Sequence, residues 1–102
     1  MKTVYEFIRT LMITRRNKQL ECLIRFKAPD FIINTEKSII ARLENREFKL
    51  NKTMNICENY LVVGHEQKMG NGGKKYYEIK TTQDTVLFFP NAAFGPFVAL
   101  KK

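Results

Sequence analysis

The sequence contains no tryptophan, one histidine, two cysteines, three prolines and five glycines in 102 residues. Each shortage removes a class of protein. With His65 alone, a His–His metal pair or acid–base pair within the chain is impossible, and His65-Glu66 lacks the second histidine of a zincin helix. Cys22 and Cys57 cannot build a disulfide framework, and neither lies in a Cys-x-x-Cys or Cys/His cluster. Apolar runs such as Leu11-Met12-Ile13 and Val86-Leu87-Phe88-Phe89 are far too short to cross a bilayer. No apolar stretch with a small-residue cleavage site follows the initial Met-Lys, so no secretory signal is read. The expectation is therefore an intracellular, cytoplasmic protein with free thiols and no membrane partner. The triplet Asn51-Lys52-Thr53 then matches a glycosylation acceptor only by coincidence.

What remains is ordinary for a globular chain, except in charge. Hydrophobic residues make up 44% and charged residues 27%, which argues against wholesale disorder. No repeat, low-complexity tract or Pro/Gly/Ser-rich linker divides the chain, so residues 1–102 read as one domain. Eighteen Lys and Arg against ten Asp and Glu leave a net charge of +8. Residues 9–27 hold six basic groups against Glu21, and residues 68–80 hold four against Glu78, whereas the rest of the chain balances at eight of each sign. The surplus belongs to two short segments.

Periodicity assigns elements to these segments. Residues 2–14 fit either period: Val4, Ile8, Leu11 and Met12 share a helical face, while Tyr5, Phe7, Leu11 and Ile13 alternate. Leu20, Cys22, Ile24 and Phe26 alternate as a half-buried strand, which places Cys22 in the core; where the preceding segment is also a strand, Arg15-Arg16-Asn17-Lys18 is the loop of a hairpin. Pro29 ends that strand, and a helix over 35–47 follows, capped by Asn34 or Thr35 with Ile39, Ile40 and Leu43 inward. The apolar run Tyr60–Val63 ends at Gly64, and Met69–Gly73 supplies a glycine-rich reversal. Residues 76–81, 85–89 and 97–100 read as further strands. The predicted fold class is α+β: a small, β-rich antiparallel domain, barrel-like or a curled sheet, with one or two helices. A winged helix with residues 58–82 as its wing is the alternative, although Asn51–Tyr60 shows only weak periodicity for its third helix.

Two basic hairpins point to a polyanion, because lysine and arginine that neutralise phosphates release condensed counterions. Lys74-Lys75-Tyr76-Tyr77 adds aromatic rings on which bases can stack, with Tyr76 and Tyr77 facing opposite sides of a strand. The expected function is non-enzymatic nucleic-acid binding of low sequence specificity, to DNA or RNA. Its candidate residues are Arg15, Arg16, Lys18, Arg25 and Lys27 in the first segment. In the second they are Lys68, Lys74, Lys75, Tyr76, Tyr77 and Lys80. A protein-interaction or inhibitor module that docks on an acidic partner fits the same charge. A small basic ribonuclease, with His65 beside Lys74 or Tyr77, is the third reading. Gly70–Lys74 lacks the Gly-Lys-Ser/Thr spacing of a phosphate-cradling loop, so no nucleotide cofactor is read from it. Phe88, Phe89, Phe94 and Phe97 form the densest aromatic group. Alternation buries one of Phe88 and Phe89, leaving the other to stack on bases or to join copies of the chain into a homo-oligomer.

Overall fold

The computed structural model describes residues 1–101. Among them are three helices followed by four strands: α1 (Val4–Arg25), α2 (Asp30–Glu44), α3 (Lys52–Cys57), β1 (Val62–Met69), β2 (Lys75–Thr81), β3 (Val86–Phe89) and β4 (Phe97–Leu100). The strands form one antiparallel sheet in the order β1-β2-β3-β4. The fold is α+β, as expected, but the sheet is open and has three helices rather than one or two. The chain divides into a helical unit, Arg9–Phe48, and a sheet unit made of Met1–Ile8 and the chain from Lys49 onward.

The largest departure from the sequence reading is α1. It replaces the predicted hairpin over residues 9–27 with a continuous helix. The segment has no glycine or proline anywhere between Val4 and Arg25, so nothing in Arg15–Lys18 supplies the positive φ that a tight turn needs. Leucine, arginine, lysine, glutamate and glutamine favour the helix along its length. Its start is fixed by Thr3, whose hydroxyl accepts the Glu6 amide at 3.2 Å. Its end is a Schellman motif, with Ala28 N–H donating to the Leu23 carbonyl and Lys27 N–H to that of Ile24. Lys27 occupies the left-handed position at φ 53°. Cys22, expected in the core, is exposed on this helix.

α2 begins five residues earlier than predicted, after Pro29, with Asp30 in its first turn. Thr35 is inside the helix and turns its hydroxyl back to the Phe31 carbonyl at 2.8 Å, so neither it nor Asn34 is a cap. Ile40 and Leu43 are buried, as expected, and Glu36 is buried with them. The buried carboxylate receives Arg16 Nη1 at 3.2 and 3.3 Å on its two oxygens. Arg9 Nη1 points at the Leu43 and Glu44 carbonyls at 3.5 and 3.4 Å, where a cation complements the helix C-terminus. Two of the basic residues in the 9–27 segment thus hold the helical unit together.

In the sheet unit, residues 2–5 run beside residues 58–62, with Val62 N–H donating to the Lys2 carbonyl and Val4 N–H to that of Tyr60. Gly64 does not end the strand. It sits where the β1–β2 register shifts, and β1 continues through it to Met69. Gly72 and Gly73 take φ of 74° and 75° in the reversal, as the glycine cluster predicts. Ile79, Val86, Phe88 and Val98 share one face of the sheet and are fully buried. Val4, Ile8, Met54 and Cys57 complete this core, and α3 packs against β4. At six residues, α3 is too short for the recognition helix that a winged helix needs, and β3 and β4 extend the would-be wing into a full sheet.

The free edge of β4 is closed by one side chain. Asn51 Oδ1 accepts the Val98 N–H at 3.0 Å and its Nδ2 donates to the Val98 carbonyl at 2.7 Å. The side-chain amide copies a neighbouring strand and covers an edge that would otherwise template pairing.

Candidate nucleic-acid interface

Strand alternation divides the sheet into two unlike faces. One carries Tyr77, Ile79, Val86, Phe88 and Val98 and is packed on the core. The other carries Lys68, Tyr76, Glu78, Leu87, Phe89, Phe97 and Ala99, of which Glu78 is buried, Phe97 is exposed and the rest are half-buried. Tyr76 and Phe89 stack with centroids 5.2 Å apart and planes at 25°, and Phe97 continues the row at 6.4 Å from Phe89. Gly70 lies beside the Tyr76 ring, where an added Cβ would be 3.5 Å from Cδ1. Phe97 ends the row and is 44% exposed. This face carries an aromatic stripe across three strands.

Charge is fixed beside it by Glu78. The carboxylate accepts Lys68 Nζ at 2.7 Å and Lys101 Nζ at 3.2 Å, and Lys68 also lies 3.9 Å from Glu66. Hydrogen bonds from Lys68 and then Lys101 hold the Glu78 carboxyl below its ordinary value, and Glu78 raises that of Lys68. Alternation adds Lys80 and, in extended backbone just before β2, Lys74 to this side.

The candidate residues therefore part company. Lys68, Lys74, Tyr76 and Lys80 share the outer face, whereas Lys75 and Tyr77 fall on the opposite one, where Tyr77 stacks on Phe88. Arg15, Arg16, Lys18, Arg25 and Lys27 belong to the helical unit, not to a hairpin. At about 100° per residue, Arg15, Lys18 and Arg25 fall within an arc of roughly 80° on α1. Arg16 turns to Glu36 instead. Around the α1–α2 turn, Ile24, Phe26, Phe31 and Ile32 are exposed beside Arg25 and Lys27. Phe89, Phe97, Lys101 and Glu78 were not among the candidates. The alternation of Phe88 and Phe89 was the signal for the first, since it requires one ring to face outward.

His65 sits opposite Ile79 across the β1–β2 pair, and its ring lies 4.8 Å from that of Phe7. Together with Lys2, Val62, Val63 and Gly64 these two rings line a hollow of about 360 Å³. The Cys57 thiol is buried, and burial pushes its pKa up, which disfavours the reactive thiolate. Among the described residues no three His, Cys, Asp or Glu side chains cluster as metal ligands, and no helix is long and apolar enough to cross a membrane. No protein-family model, curated protein or solved structure matches the chain.

Proposed function

We propose that the protein binds nucleic acid without catalysing a reaction on it, and that the outer face of the sheet is the contact surface. The observation that carries this reading is the Tyr76–Phe89–Phe97 stripe, half-buried to exposed, bordered by Lys68, Lys80 and Lys101 on one face of the sheet. Aromatic rings accept any base, and lysines meet phosphates wherever they fall, so the pairing gives affinity with little sequence preference. Arg15, Lys18, Arg25 and Lys27 give the helical unit a second basic surface for backbone phosphates. The free thiols Cys22 and Cys57 suit work inside the cell.

Titration of labelled oligonucleotides at rising salt tests the reading. With about five phosphates engaged on a single strand, the slope of log affinity against log salt is about −3.5. Absence of binding to single-stranded and duplex oligonucleotides at low salt contradicts it. The exposed Ile24, Phe26, Phe31 and Ile32 favour a second reading, a module that docks on an acidic protein through the α1–α2 turn. Retention of a partner after nuclease treatment, lost on replacing Phe26 and Phe31 by serine, would support that one.

A further inference from the structure

Resting on the nucleic-acid reading, we propose that the ligand is single-stranded and that Phe94 and Phe97, at the open end of the aromatic row, stack on its bases. Within the row, the half-buried ring of Tyr76 has Gly70 beside it and stacks on Phe89, and Phe89 lies between Tyr76 and Phe97. Phe97 is the ring left with an open side. Three residues before it, Phe94 is fully exposed in the loop that joins β3 to β4. That loop is shaped by the Gly95 N–H donating to the Ala92 carbonyl at 3.0 Å and by Gly95 at φ 101°, a conformation closed to most residues. Phe94 contributes no burial to the free protein, and covering a ring of its size is favourable.

Charge selects the occupant. A second copy would bring another +8 against the first, whereas a polyanion neutralises it. Lys101 follows Phe97 by four residues, and both alternate onto the outer face, where Glu78 holds the lysine at 3.2 Å, so a cation stands beside the stacked base. A duplex keeps its base faces stacked inside and offers only groove edges, which a flat ring cannot read. Unpaired bases expose the π-face that stacking needs.

The test uses fluorescence anisotropy with the full chain and four ligands: a single-stranded DNA, the matching RNA, the duplex, and an abasic strand with the same phosphates. Phe94→Ala and Phe97→Ala are compared with the parent, and Phe94→Tyr serves as the conservative variant. Single strands are expected to bind more tightly than the duplex, and Phe94→Ala to weaken them by about 5- to 150-fold, the equivalent of one lost base stack. Phe94→Tyr retains binding, the salt slope is unchanged, and the abasic strand does not distinguish Phe94→Ala from the parent. Because Phe94 is fully exposed, its removal leaves the fold intact. Unchanged single-strand affinity in both alanine variants, or a duplex bound as tightly as a single strand, overturns the proposal while leaving nucleic-acid binding in place. Failure of every ligand to bind at low salt removes both. A dimer detected by light scattering and dissolved by Phe94→Ala also overturns it, in favour of a second copy as the occupant.

Discussion

Asn51 illustrates how a single side chain acts across 47 residues of sequence. Read locally, it is a match to a glycosylation acceptor or a cap for α3, and it makes no side-chain cap bond there. Its amide is instead committed to both backbone groups of Val98. Asn51→Ala leaves that donor and acceptor without their partner, at a cost of about 1–3 kcal/mol, measurable by chemical denaturation. Asn51→Asp keeps the acceptor but sets a carboxylate oxygen against the Val98 carbonyl, so it is expected to be no more stable than the alanine variant. Glu78 acts on function rather than on the edge. Glu78→Gln removes the charge that holds Lys68 and Lys101, and the salt slope of single-strand binding should steepen by about 0.7 for each lysine that then reaches a phosphate. The same triad sets a pH window. Glu78 titrates below its ordinary value of 4.5, so its stabilising contribution is present above that pH and is lost as pH falls through the lowered value. Lys68 titrates above 10.5, so its share is present below that pH and is lost as pH rises through the raised value. Denaturation midpoints of the parent and Glu78→Gln should therefore converge in acid and be furthest apart between these limits.

At the scale of elements, the last three strands were legible, whereas the length of β1 and the first helix were not. Residues 75–81 and 86–89 alternate cleanly, and the glycines at 72 and 73 mark a reversal because only glycine takes positive φ there at little cost. In α1, Leu20, Cys22, Ile24 and Phe26 alternate by accident, while Leu20 and Leu23 share a helical face. Thr3-Val4-Tyr5-Glu6 has the spacing of a capping box, and that was the local signal for a helix start. An exposed proline separates the two readings. Asn17→Pro in the middle of α1 is expected to cost about 3 kcal/mol or more and to lower far-UV helicity, whereas a loop at 15–18 would accept it. Lys27→Gly tests the end of the same helix: relief of a left-handed lysine should raise stability by about 1 kcal/mol.

At the scale of the whole molecule, the charge divides evenly. Each unit holds nine basic and five acidic residues, a net +4, although the sequence places the surplus in two short segments. Part of that surplus is structural, since Arg9 and Arg16 bind carbonyls and a carboxylate within the helical unit. The stripe, by contrast, could not be read from any one segment. Tyr76, Phe89 and Phe97 come together only through the pairing of β2, β3 and β4, and register decides which ring of each pair faces outward. The central claim is that this outer face, rather than charge in general, receives the ligand. Its most direct test follows the aromatic side-chain resonances by NMR while a single-stranded oligonucleotide is added. The outer rings Tyr76, Phe89 and Phe97 should shift, with Tyr77 and Phe88 on the packed face much less affected. Shifts confined to residues of α1 and α2, or equal on both faces of the sheet, would contradict it.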